Sequence, residues 1–246
     1  MSIADALLLV FGGLAAGVIN TMAGGGSTIT VPLLVLAGVP GTQANGSNRV
    51  GVLAASAAAV ISFRRLGVSG IRKSSSVLLP VLVGSLIGSS LISQISDEAF
   101  ERLFGVLMVP IVILTLVSPT PKKKITKKWG GGFTILIFSI VGLYGGAIQA
   151  GVGLLMIIAL SYSGFDLVKA NSIKVLVNVL LTIVALPVFL IAGKVDWGPA
   201  LTLAAGFTLG GWLGAKWAFQ GGEKLIRFVM VISAVLLSGR LLGFYG

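Results

Sequence analysis

The side chains in this sequence that could do chemistry are amides, hydroxyls and isolated cations. There are no histidines and no cysteines among the 246 residues, which removes imidazole bases, thiolate nucleophiles and the usual zinc ligands. The seven acidic residues, Asp5, Asp97, Glu98, Glu101, Asp166, Asp196 and Glu223, sit at the ends of apolar runs or between them. None lies in the middle of a run, so a carboxylate proton relay and an acid–base pair both lack their parts. What remains is hydrogen-bond donation. The stretch NTMAGGGSTITVP, Asn20 to Pro32, sets three glycines between an amide and three hydroxyls inside an otherwise apolar N-terminus.

Gly24, Gly25 and Gly26 allow the chain to reverse with positive φ. A helix starting at Ser27 then carries four N–H groups without intrahelical partners, a concentrated partial positive charge suited to an anion. Ser27 and Thr28 add hydroxyl donors, and Asn20 adds an amide from the opposite arm. Close helix packing is the competing use of three small residues in a membrane. The interruption recurs as QAGVG, Gln149 to Gly153, which favours a site built from Gly151, Gly153 and Gln149 together with the first tip.

Such tips need helices inside lipid to hold them. Hydrophobic residues make up 56% of the chain, charged residues 10%, and the mean hydropathy is +1.06. Soluble domains carry about 25% charged residues, so the composition is that of an all-α membrane protein. Ten apolar segments follow, at 5–22, 26–38, 46–63, 77–95, 99–117, 133–148, 151–162, 171–192, 198–219 and 223–242. The first has no basic residue before it and no cleavage site after it, and reads as structure, not as a removed leader. The second, 13 residues, falls short of a crossing at about 1.5 Å per residue. It reads as a half-depth arm of a hairpin, with two thin full spans as the alternative.

The segments divide five and five around a lysine-rich stretch. Residues 1–118 form one repeat, 119–130 a basic cytoplasmic linker and 131–246 a second repeat. AGGG (23–26) aligns with AGVG (150–153), Asn45 with Asn171, Arg49 with Lys174 after a one-residue gap, and Gly84 and Gly88 with Gly210 and Gly214. The loop after the third segment carries Arg64, Arg65, Arg72 and Lys73 in copy one, but only Lys194 with Asp196 in copy two. In the next loop the bias flips. By the positive-inside rule the copies are inverted, the plan of a secondary transporter.

Arg49 and Lys174 each lie about one turn into a third segment, with Asn45, Asn48, Asn171 and Asn178 as hydrogen-bonding companions. They either snorkel to the interface or attract and gate an anion. The net charge of +11 is concentrated in short loops, so nucleic acid is not an expected partner.

The stretches AAGVINTMAGGGSTITVPLLVLAGVPGTQANGSNRV and GFDLVKANSIKVLVNVLLTIVALPVFLIAGKVDWG resemble the two halves of the TauE/SafE family of sulfite exporters and sulfonate permease-like proteins. The resemblance covers nearly the whole chain. It implies a polytopic inner-membrane permease of a prokaryote for small anions, with sulfite and organosulfur acids as recurring cargo. The residues it selects are Gly24, Gly25, Gly26, Asn45, Asn48, Gly151, Gly153, Asn171 and Lys174. Where second copies in the family often carry a hydroxyl, Val152 and Leu154 stand here.

The reading is therefore a transporter, not an enzyme, with no cofactor and no metal. Its partners are a small anion and the lipid bilayer, and a homodimer stays open. A carrier of cations or neutral solutes with the same architecture is one alternative, and a non-transporting membrane assembly protein is the other.

Overall fold

The computed structural model describes residues 1–68, 75–117 and 130–241, without most side chains beyond 221. Nine helices form among the described residues, and no strand does. They are α1 (Ile3–Met22), α2 (Ser27–Leu36), α3 (Gly41–Arg65), α4 (Ser75–Ile92), α5 (Asp97–Val117), α6 (Gly131–Ala147), α7 (Val152–Tyr162), α8 (Leu167–Ile191) and α9 (Trp197–Leu241). Arg72, Lys73 and the linker lysines lie outside the described residues, as do the side chains of Glu223, Lys224 and Arg227.

Two elements differ most from the sequence reading. The third segment starts at Gly41 and not at 46, because Pro40 sets the entry and the polar first turns find partners. Thr42 donates its N–H to Asp97 Oδ1 at 2.8 Å and its hydroxyl to the same oxygen, while the Ser47 hydroxyl accepts from the Asp196 N–H at 2.8 Å. Hydropathy alone misses a helix start whose polar groups are satisfied across the fold. The segments expected at 198–219 and 223–242 are one continuous helix, α9. Gly221 and Gly222 supply no proline-type block, and each glycine costs a helix only about 1 kcal/mol relative to alanine. α2 and α7, of 10 and 11 residues, span roughly half of a hydrocarbon core at about 1.5 Å per residue.

The first helix of each half packs on the fourth helix of the other. Gly206 and Gly210 of α9 lie against the Val10 and Leu14 carbonyls of α1, and Gly142 and Gly146 of α6 against Val81 and Ser85 of α4. Gly84 and Gly88 face α6, just as Gly210 and Gly214 face α1. Stripes of small residues let backbones touch where water exclusion cannot drive helices together. α3 and α8 run through the centre, with Gly46 against the Lys194 carbonyl and Phe189.

Polarity is distributed inside out. Asn45, Asn48, Arg49, Asn171, Lys174 and Asn178 are fully buried, whereas Leu79, Val106, Ile191 and Leu201 are 58 to 90% exposed. Aliphatic surface of that extent, spread over α4, α5, α8 and α9, suits lipid.

Gly105 has open space around its missing Cβ, while a Cβ at Gly146 would strike the Ser85 backbone. Gly146→Val should destabilise the detergent-solubilised protein by about 1–3 kcal/mol or more, and Gly105→Ala should leave its melting temperature equal or higher. Thermal unfolding of the two variants side by side tests the close approach.

Candidate functional site

α1 ends at Met22, and the chain turns through Gly24 at φ +84. The Gly24 N–H donates back to the carbonyls of Asn20 at 2.9 Å and Ile19 at 3.1 Å, closing α1. α2 then starts at Ser27. The Thr28 and Ile29 N–H groups fold onto the Gly25 and Gly26 carbonyls, each at 3.0 Å. The N–H groups of Gly25, Gly26 and Ser27 have no partner among the described residues. Of the four helix N–H groups expected to be free only that of Ser27 is, because a tight first turn takes up those of Thr28, Ile29 and Thr30; Gly25 and Gly26, ahead of the helix, bring the tip to three consecutive donors.

The hydroxyls divide their work. Thr28 Oγ1 donates to the Gly25 carbonyl at 2.5 Å and so is turned onto its own backbone. Asn48, from α3, donates through Nδ2 to Ser27 Oγ at 2.9 Å, leaving the Ser27 hydroxyl hydrogen to donate elsewhere. Asn48 is itself held by Thr30, whose hydroxyl donates to Oδ1 at 2.5 Å. Thr30 was missed by the sequence reading; the signal was its place three residues after Ser27, on the same face of α2. The Asn20 amide is buried and has no hydrogen-bond partner among the described residues.

The second tip is built on the same plan with different residues. α6 ends at Ala147, and the chain reverses through Gln149 at φ +64 and Gly151 at φ +76 into α7. Leu154 N–H returns to the Gly151 carbonyl at 3.0 Å, and Tyr144 donates its hydroxyl to the Ala150 carbonyl at 2.6 Å. The N–H groups of Gly151 and Gly153 stay unpartnered among the described residues. The tips meet backbone to backbone: a Cβ on Gly24 would overlap Gly153 and Leu154, and one on Gly153 would overlap Gly24.

Arg49 and Lys174 hold these reversals from behind. Arg49 Nη1 donates to Gly145 O at 3.2 Å and Gln149 Oε1 at 3.1 Å, and Nη2 to Gly146 O at 2.5 Å and Ala147 O at 3.1 Å. Its guanidinium lies 4.4 Å from the centroid of the Phe189 ring. Lys174 Nζ donates to Asn20 O at 2.8 Å and Thr21 O at 2.6 Å. Asn45 donates to Ala147 O at 2.7 Å, and Asn171 to Met22 O at 3.1 Å. Each third helix therefore sends one amide and one cation to the C-terminal carbonyls of the broken helix in the other half. Cations there complement the negative end of the helix dipole. Both are fully buried, so neither snorkels, and no carboxylate pairs with either among the described residues.

Asn178, one turn beyond Lys174 on α8, is not joined to either tip by a hydrogen bond. Both ends of its buried amide are without a partner, as are the Thr182 and Ser56 hydroxyls. The polar residues thus separate into a frame (Asn45, Arg49, Asn171, Lys174, with Asn48 and Thr30) and a set of donors on the two tips (Gly25, Gly26, Ser27, Asn20, Gly151, Gly153, Gln149).

Comparison with known proteins agrees with this architecture. The family model for "Sulfite exporter TauE/SafE" matches residues 9–241. The chain belongs to that family. A "Probable membrane transporter protein" of Haemophilus influenzae is 29% identical over 241 residues, 96% of this chain and 94% of the relative. The "Probable membrane transporter protein YfcA" of Escherichia coli is 28% identical over 238 residues, 96% of this chain and 88% of the relative. "Probable membrane transporter protein ORF9" of a Sinorhizobium species is 27% identical over 230 residues, 92% of this chain and 88% of the relative. No solved structure matches. The TauE/SafE chain is accordingly a membrane-embedded transporter and not an enzyme.

In this member of the family the frame predicts its own failure mode. Arg49→Met strips the donors from the carbonyls of Gly145 and Gly146, at about 1–3 kcal/mol for each buried acceptor left unsatisfied, and leaves Ala147 with Asn45 alone. It should unfold or aggregate the protein. Arg49→Lys, which places at 49 the residue that serves at 174, should lower the melting temperature without abolishing folding. Size-exclusion profiles and thermal unfolding in detergent distinguish the two.

Proposed function

We propose that this protein is a secondary transporter of small anions, multi-pass in the inner membrane of a prokaryote, that binds an oxyanion between the two tips. The observation that carries the reading is the run of three unpartnered N–H groups at Gly25, Gly26 and Ser27, the last two buried, in a protein whose fully buried charged side chains among the described residues, Arg49 and Lys174, are both positive. A cation in that space meets donors and like charge; an anion meets complementary partners on every side.

Sulfite and organosulfur anions such as sulfonates are the cargo we favour, on the strength of the family's description. The donors suit any small oxyanion, and the second tip, with Val152 and Leu154 in place of hydroxyls, adds only backbone and amide donors. Access alternates between the two faces as the halves, inverted repeats of one another, rock about the fixed tips. The paired contacts of Asn45 with Ala147 and Asn171 with Met22 support that symmetry. An inside-negative potential drives a monoanion outward by about 2.3 kcal/mol per 100 mV, which favours export.

The test is flux in proteoliposomes under an imposed potential, with sulfite, thiosulfate, sulfate, sulfonates and carboxylates as probes and Na⁺ and choline as control cations. Potential-driven anion movement is expected. Movement of cations or neutral solutes alone would place the protein with a different class of carrier, and no movement of any solute would point to an assembly role. Ser27→Ala should raise the half-saturating concentration of the transported anion about tenfold or more, the worth of one hydrogen bond to a charged ligand.

A further inference from the structure

Gln149 is the one non-glycine residue with positive φ among the described residues, at +64°. A left-handed backbone costs an ordinary L-residue about 1–2 kcal/mol. The first tip turns through glycine, Gly24 at φ +84. A glycine at 149 would remove the cost, so the glutamine side chain must supply something the turn does not need.

Its surroundings define what that is. The side chain is 2% exposed, and Oε1 receives Arg49 Nη1 at 3.1 Å. A guanidinium can only donate, so the atom facing it must be the amide oxygen. Arg49 is fixed in turn by the carbonyls of Gly145, Gly146 and Ala147 and by the Phe189 ring, which prevents the amide from flipping. The other end of the amide is therefore Nε2, two N–H bonds with no acceptor capacity and no partner among the described residues. Gln149 opens the reversal whose next residues, Gly153 and Leu154, abut Gly24 of the first tip.

We infer that Gln149 is a specificity-determining residue: Arg49 locks its amide so that a donor-only Nε2 faces the anion, and the site selects ligands whose oxygen at that point carries no proton. The inference rests on the anion reading above and deepens it. A ligand with a hydroxyl there would set donor against donor, and an unpaired buried donor is costly enough to discriminate strongly. Sulfate, with no hydroxyl at neutral pH, suits the position, and hydrogenphosphate, of similar size and charge with one hydroxyl, fits only when that hydroxyl is turned away.

The experiment is thermal-shift titration of the full-length protein with sulfite, sulfate, methanesulfonate and hydrogenphosphate at mildly alkaline pH, in wild type, Gln149→Gly and Gln149→Glu. Wild type should be stabilised more by sulfate than by hydrogenphosphate at equal concentration. Gln149→Gly should match or exceed the wild-type melting temperature without ligand, yet need about tenfold more anion for half-saturation. Gln149→Glu keeps an oxygen for Arg49 and turns an acceptor toward the site, so it should lose affinity for sulfate and shift the preference toward hydrogenphosphate. That change of preference is a readout that a purely structural role would not produce. Wild-type affinity and preference in Gln149→Glu would overturn the inference even if the glycine variant fails to fold. A wild type that responds to none of the four anions would instead overturn the anion reading itself.

Discussion

A positive charge sealed in a low-dielectric core without a carboxylate would normally be untenable, because desolvation of the ion costs several kcal/mol. Arg49 and Lys174 escape that cost by ending on helix C-termini, where backbone carbonyls already need donors. The dependence is mutual. Gly145 and Gly146 on one side, and Thr21 on the other, would be orphaned acceptors without the cations, while Ala147 would keep Asn45 and Asn20 would keep the Gly24 N–H. Because each cation comes from the opposite half, neither broken helix is complete by itself. The reversals, the unpartnered N–H groups on them and the close contact of the two tips all follow from this exchange.

The exchange also explains the division of labour among polar residues. Amides that touch carbonyls, Asn45 and Asn171, belong to the frame with the cations. Asn48 is a bridge, held by Thr30 and holding Ser27. What the frame leaves over on the tips among the described residues is the N–H groups of Gly25, Gly26, Ser27, Gly151 and Gly153, the Ser27 hydroxyl hydrogen and the amides of Asn20 and Gln149. Electrostatically the tips are a cluster of donors backed by two positive charges, and non-helical backbone is tolerated there because protein surrounds it.

Much of the architecture was legible in the sequence because bilayers simplify the problem. Apolar runs marked the helices, the short runs marked the short helices α2 and α7, and the triple glycine marked the reversal. The matching of Asn45 with Asn171 and of Arg49 with Lys174 anticipated two pairs of contacts at corresponding places. The partners of the cations were not legible, since all their acceptors but Gln149 Oε1 are main-chain atoms about 100 residues or more away, and a sequence carries no sign of which carbonyls are free. Thr30 was hidden for the same reason: its hydroxyl reads as one more β-branched residue on an apolar arm until Asn48 is seen beside it. The continuity of α9 eluded the reading because paired glycines resemble a loop in hydropathy, although nothing in them forbids a helix. Gln149 was recognised as part of the interruption, but its backbone strain and the forced direction of its amide require coordinates.

The contact of Gly24 with Gly153 and Leu154 ties together two sites that lie far apart in the gene. If the halves arose by duplication, their sequences have since drifted to the point where few letters match, yet at this junction neither copy is at liberty to change alone. A methyl group gained by one would have to be answered by retreat of the other's main chain, which has nothing smaller to become. Divergence between the copies is therefore channelled to the flanks, where one half has accumulated hydroxyls and the other aliphatics, while the seam itself stays frozen at the smallest residue the genetic code provides.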